Sequence, residues 1–318
     1  MIMDGMSKII ACLTLVLFFV LTSASAATTN PVINTQLRNS LLSQGYFAIP
    51  LHLAEYSNTL LIEIQFNNGK HYPLILDTGA AFSTIEQRYA NQLNAKITGA
   101  DKIIGGVGGK RAKAYQAVVP TINLSHFTSH NEIFYLSQNN FSSMQIDKQP
   151  IVGLLGLDYL MKHQAIIDIA GQQLYLRPTN RFYDQPINFA YKAIPLHYTL
   201  SGLATVMASV NNSIPARFLL DTGVPVLMIS TQYAKSLGLK HATEAIIGKG
   251  SGGADMLVFP TTIKQFTVDG INSLPKETII TNFKFKQVGV PILGVIGLDW
   301  LQTHHAIIDM ENDVVYVD

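Results

Sequence analysis

Leu74-Ile75-Leu76-Asp77-Thr78-Gly79 returns 144 positions later as Phe218-Leu219-Leu220-Asp221-Thr222-Gly223. Each copy is a three-residue apolar run followed by an acid, a hydroxyl and a glycine. The duplication continues outward from both points. Ala48-Ile49-Pro50-Leu51-His52 recurs as Ala193-Ile194-Pro195-Leu196-His197 at a shift of 145, and Ile85, Tyr89-Ala90 and Leu93 match Ile229, Tyr233-Ala234 and Leu237. Gly156-Leu157-Asp158 matches Gly297-Leu298-Asp299, and Ala165 to Asp168 matches Ala306 to Asp309, both at a shift of 141. A repeat that keeps its register over so many short matches reads as two copies of one fold. The copies are placed at 44–178 and 191–318, joined by a polar segment from Thr179 to Asn188, which suits a chain of 318 residues at roughly 100 to 200 residues per domain.

Each copy reads mainly as strands. Leu60 to Phe66 is an apolar run with some alternation, Asn67-Asn68-Gly69 is hairpin chemistry, and Tyr72 to Leu76 is the return strand. The second copy repeats the plan with Ala204 to Val210, Asn211-Asn212-Ser213 and Arg217 to Leu220. Short helical stretches are expected from Glu86 to Leu93 and from Thr231 to Leu237. Another is expected after each Gly-Leu-Asp, with Asp158 and Asp299 as N-caps. Leu174 to Leu176 and Val314 to Val317 close the copies as strands. The fold class is therefore all-β, two small domains with short helices.

The two Asp-Thr-Gly motifs carry the chemistry. An aspartate on the turn after a buried strand has its carboxylate held rigidly, the glycine permits close backbone approach, and the threonine hydroxyl can lock the partner loop. If the copies face each other about a pseudo-twofold axis, Asp77 and Asp221 become neighbours, and two adjacent carboxylates cannot both ionise easily. One member can then act as base on a water and the other as acid toward a carbonyl, which is amide hydrolysis without metal or covalent intermediate. Thr78, Gly79, Thr222 and Gly223 are the scaffold of that pair.

Leu74 to Ala80 followed by Ile151-Val152-Gly153-Leu154-Leu155-Gly156 resembles the retropepsin-like aspartic proteases, the clan of pepsin and the retroviral proteases, whose viral members are homodimers of one such unit. Phe218 to Gly223 with Pro291 to Gly297 looks like a second unit fused in the same chain, so no dimer is required for activity. The resemblance implies two pseudo-twofold-related β-barrel domains and an endopeptidase acting on a peptide or protein. It also implies two flap hairpins. Gly105, Gly106, Val107, Gly108 and Gly109 begin 28 residues after Asp77, and Gly248, Gly250, Ser251 and Gly252 occupy the matching place after Asp221. The second motif departs from the family pattern, since Val224-Pro225 follows it and Leu227-Met228 stand where the first copy has Ser83-Thr84.

Composition narrows the alternatives. Lys and Arg total 22 against 21 Asp and Glu, so a net charge of +1 offers no field to gather nucleic acid. The one cysteine, Cys12, lies in an apolar run from Ile9 to Leu21 that follows Lys8 and precedes Ala24-Ser25-Ala26, the three-part pattern of an export signal over residues 1–26. After its removal the chain has no thiol and no second run approaching a membrane span, and an exported location is expected, with the periplasm favoured over secretion. No metal site and no cofactor are expected: His163, His304 and His305 lack ligand spacing, and Gly105 to Lys110 fails the spacing of a phosphate loop. The competing function is a non-catalytic module of protease-like fold whose cleft binds a peptide or an envelope component.

Overall fold

The computed structural model describes residues 31–54, 57–105, 111–138, 141, 145–146, 149–178, 191–250, 255–274, 277–283, 285 and 289–318. Both repeats contribute to a six-stranded antiparallel sheet, ordered Phe47–Pro50, Gln173–Leu176, Ile166–Asp168, Ile307–Asp309, Val314–Val317, Lys192–Pro195. The order is the same from either edge, three strands from each copy. At the seam Ile167 pairs with Ile308, flanked by Ile166 with Asp309 and Asp168 with Ile307, so a pseudo-twofold axis passes through the central pair. Successive side chains point to opposite faces. Ile167, Leu174, Ile308 and Val315 enter the main core, whereas Ile166, Tyr175 and Ile307 meet Leu37 and Leu41 of the N-terminal helix α1 (Pro31–Ser43).

Above this base each repeat builds its own sheet. In the first the order is His52–Leu53, Leu60–Gln65, His71–Leu76, Gly153–Leu155, Thr84–Glu86, Phe127–Ser137, Arg111–Leu124, Lys96–Gly105. In the second, Ile246–Lys249, Asp255–Thr261, Thr278–Thr281, Leu227–Ser230, Gly294–Ile296, Ala216–Leu220, Ala204–Val210, Phe266–Val268 and Ile271–Ser273 follow one another, with His197–Tyr198 beside Ala204–Val210. The strands that end at the two aspartates are central. His71–Leu76 has Leu60–Gln65 antiparallel on one side and Gly153–Leu155 parallel on the other, and Ala216–Leu220 lies likewise between Ala204–Val210 and Gly294–Ile296. Leu74, Ile75, Leu76, Phe218, Leu219 and Leu220 are all fully buried. A strand covered on both faces needs apolar residues at every position, which is why these segments show runs and not alternation.

Two local expectations change. The helical stretch at 86–93 is a pair of 3-10 turns, Gln87–Tyr89 and Asn91–Leu93, ended by Asn94 in the left-handed region at φ 52°. Its counterpart is a true α-helix, α3 (Thr231–Ser236), because Ser230 caps it: its hydroxyl accepts the Tyr233 N–H at 3.2 Å. Helices α2 (Leu157–Lys162) and α4 (Leu298–Thr303) begin one residue before the expected caps, so Gly156 and Gly297 are the N-caps. Asp158 and Asp299 sit inside the first turn, where a negative charge favours the helix N-terminus.

Asp168 and Asp309 are turn formers: Asp168 Oδ1 accepts the Gly171 N–H at 2.8 Å, and Asp309 Oδ1 those of Glu311 and Asn312 at 3.0 and 3.1 Å. Trp300 is a core residue whose Nε1 donates to Ser273 at 3.0 Å. His163 is buried with Nε2 2.9 Å from Glu132 Oε1. The segment 179–190 lies outside the described residues.

Candidate active site

Asp77 and Asp221 follow the last residues of their strands, and each backbone N–H continues the parallel ladder, donating at 3.0 Å to Leu155 O and Ile296 O respectively. The motifs therefore start from the same ladder position in both lobes. Beyond it the threonines interlock. The Thr78 hydroxyl donates to Leu220 O at 2.9 Å and accepts the Thr222 N–H at 3.0 Å; the Thr222 hydroxyl donates to Leu76 O at 2.7 Å and accepts the Thr78 N–H at 3.0 Å. Each hydroxyl spends its donor and an acceptor on the other lobe. These four bonds lie at a fully buried centre, where a lost partner costs about 1–3 kcal/mol.

This lock brings the acids into contact. Asp77 and Asp221 are completely buried. A Cβ on Gly79 would lie 2.1 Å from Asp221 Oδ2, so the first loop admits the opposite carboxyl only because residue 79 has no side chain. Asp221 Oδ1 accepts the Gly223 N–H at 2.8 Å. Neither oxygen of Asp77, nor Asp221 Oδ2, finds a donor among the described residues while both acids are ionised.

One proton resolves this, allowing the two carboxyls to hydrogen-bond to each other. Burial, then the Asp221 charge and the bond to Asp221, hold Asp77 well above the carboxylate range, with the nearby N–H groups of Gly79 and Ala80 pulling weakly downward. Burial also pushes Asp221 up to about 7, opposed by the Gly223 N–H, the bond from Asp77 and the Gly79 N–H. The two carboxyls thus titrate as a coupled pair that keeps protons to a higher pH than free aspartates do, because burial disfavours their charge.

A stability prediction follows from the sign of these shifts. Between the unfolded aspartate value near 4 and the raised folded values, the native pair binds more protons than the unfolded chain, so its contribution is complete in acid and is lost as pH rises toward about 7. Denaturation midpoints measured from pH 4 to 8 are expected to fall more steeply with pH for the wild type than for Asp77→Asn. Other buried groups titrate equally in both proteins, so the difference isolates the pair. Parallel curves would refute the shared proton.

The segments expected to carry the flaps begin as antiparallel strand pairs. Lys96–Gly105 pairs antiparallel with Arg111–Leu124, ending at Gly105 opposite Arg111, and Ile246–Lys249 pairs with Asp255–Thr261, ending at Lys249 opposite Asp255. Gly248 and Gly250 are buried. The tip residues Gly106, Val107, Gly108, Gly109, Ser251 and Gly252 lie outside the described residues.

Two supports escaped the reading of the motifs. Ser83 donates from both its N–H and its hydroxyl to Asp158 Oδ1, at 2.7 and 2.6 Å, and Asn58 donates to Pro225 O of the other lobe at 3.2 Å. A cleft of about 400 Å³ lined by Leu51, His52, Glu63, His71 and Pro73 among others lies in the first lobe, and no Asp-Thr-Gly residue lines it.

A family model described as aspartyl protease matches residues 62–159 and 206–300, one stretch in each repeat. No curated protein matches the sequence. Among solved structures, the aspartic proteinase from Irpex lacteus aligns with a TM-score of 0.52 at 12% identity, covering 86% of this chain and 97% of its own. Conglutin gamma, a basic 7S globulin from lupine seeds, aligns with the same TM-score and identity, covering 86% of this chain and 95% of its own. At that identity the likeness concerns the fold.

Proposed function

Because the chain belongs to the aspartyl protease family, we propose that it is an aspartic endopeptidase with Asp77 and Asp221 as its catalytic pair. The observation that carries this reading is the contact of two fully buried carboxyls on loops related by the twofold axis. Asp221, whose Oδ1 already holds the Gly223 N–H, is the better anion and serves as base. It takes a proton from a water whose oxygen attacks the carbonyl carbon of the scissile bond, while Asp77 gives its proton to the carbonyl oxygen. In collapse of the tetrahedral intermediate Asp221 passes its new proton to the amide nitrogen, Asp77 recovers its own, and the C–N bond breaks. The pair ends as it began.

The substrate is a peptide or protein segment held under the two glycine-rich hairpins, and both acids come from one chain, so a monomer suffices. The two repeats are assigned to 44–178 and 191–318. The export pattern at residues 1–26 supports an exported protein, periplasmic in the first place and secreted as the alternative, with the mature chain starting near Ala27. The test is incubation of protein recovered from its producing cell with a peptide library. Cleavage is expected, blocked by a peptide carrying a tetrahedral hydroxyl at the scissile position and unaffected by a chelator, and the protein's mass should correspond to an Ala27 terminus. Inhibition by chelator alone, or an intact Met1 or Met6 terminus, would overturn the corresponding part.

The apolar second loop, Val224-Pro225-Val226-Leu227, and the shared fold of a seed globulin favour one other reading, a cleft that binds peptide without cutting it. Tight binding of the hydroxyl peptide with no cleavage of any library member would select it.

A further inference from the structure

We propose that Ser83 and Asp158 are positioning residues for Asp77, a brace whose serine is Leu227 in the second repeat; the inference rests on the reading of Asp77 and Asp221 as the catalytic pair. The loop from Asp77 to Ser83 is fastened at three points to the segment that starts α2. The Asp77 N–H donates to Leu155 O at 3.0 Å, Ala80 O accepts the Leu157 N–H at 2.8 Å, and Ser83 closes the loop. Its hydroxyl donates to Asp158 Oδ1 at 2.6 Å and accepts the Gly156 N–H at 3.0 Å, while its own N–H donates to the same carboxylate oxygen at 2.7 Å. Ser83 is fully buried; burial pushes Asp158 up to about 6 against the pull of the Ser83 bonds, and above that pH those bonds run to an ionised acceptor, the stronger kind. A Cβ on Gly156 would come within 2.8 Å of Ala80 O and 2.7 Å of the Phe82 carbonyl carbon, so the two segments are in backbone contact.

The twin loop separates what the fold needs from what is added. Asp221 N–H to Ile296 O at 3.0 Å and Leu298 N–H to Val224 O at 2.7 Å repeat the first two fastenings. At the third, Leu227 stands in place of Ser83 and brings no hydroxyl. There the Asp299 N–H donates to Pro225 O at 3.0 Å, and that carbonyl also accepts the Asn58 amide from the other lobe at 3.2 Å. The backbone fastenings therefore suffice to form such a loop. The serine–carboxylate link belongs to the Asp77 side, and the Asp221 side is tied across the lobe interface. Two different supports hold one acid pair in register, and the first fixes the Asp77 loop.

Ser83→Ala, Asp158→Ala and their double variant are the test, with Ser83→Thr as the conservative rescue. With a cleaved library peptide, each alanine variant is expected to lose about 10- to 100-fold in kcat with KM within about twofold, since misplacing a reacting group by about 1 Å costs that much. Ser83→Thr should stay within about threefold of wild type, and the double variant should be no worse than either single one. The pair is also read without substrate, by following the Asp77 and Asp221 carboxyl carbons through a pH titration by 13C NMR. Loosening the brace should bring their raised titration back toward the ordinary aspartate range. An inactive wild type with this shift would sink the endopeptidase reading and keep the brace. Wild-type kcat in Ser83→Ala, or an unchanged titration in a folded Ser83→Ala, overturns the brace.

Discussion

Asp77→Asn and Asp221→Asn are each expected to abolish peptide cleavage, by at least about 10³-fold, while leaving the fold intact. The shared proton makes the two acids one unit, so removing either should cost about as much as removing both. The change is nearly isosteric, and the scaffold bonds run through Thr78 and Thr222 and not through the carboxylates, so the lobes keep their lock. An amide at position 77 can donate to Asp221 at any pH and removes one buried acid from the pair. Asp77→Asn should therefore be the inactive protein that is more stable near pH 8, by about 2–4 °C in midpoint for each kcal/mol relieved. Hydrolysis of a fluorogenic peptide and thermal melts on the same samples measure both. Near-wild-type turnover in either variant would sink the catalytic assignment.

The second large effect lies on the opposite face of the base sheet. Arg177 is completely buried at the end of Gln173–Leu176. Its Nε donates to Gln164 Oε1 at 2.8 Å, its Nη2 pairs with Glu311 of the second repeat, and its guanidinium lies 5.1 Å from the Tyr46 ring centre. Tyr46 in turn donates to Glu311 Oε2 at 2.6 Å. The cluster joins the N-terminal segment and both lobes. Arg177→Met removes one partner of this network and is expected to cost about 3 kcal/mol, the low end for a broken buried pair because Glu311 keeps some solvent. Chemical denaturation reads it, and Glu311→Leu in the same chain should recover part of the loss. A cost below about 1 kcal/mol would show that the network adds little to stability.

The repeat, the Asp-Thr-Gly pair and the apolar strands that lead into it were legible because each is a local pattern. A central strand must be apolar on both faces, which shows in the sequence, whereas the need for Gly79 comes from the Asp221 carboxyl of the other repeat. Helix starts were legible only to within a residue. The cap depends on which backbone leaves the strand, and Asp158 proved to reach sideways to Ser83 where a cap was expected.

From its own letters the chain therefore determines two copies of one β-rich fold and nominates Asp77 and Asp221 as the pair to watch. The tertiary structure alone decided that these acids touch, that burial raises the titration of both, and that different partners support the two loops. Ser83 meets Asp158 across 75 residues and Arg177 meets Glu311 across 134. No periodicity links such positions. Hydrogen-bond partners this far apart are chosen by where the folded sheets place their ends, and that placement is the summed result of packing the whole core.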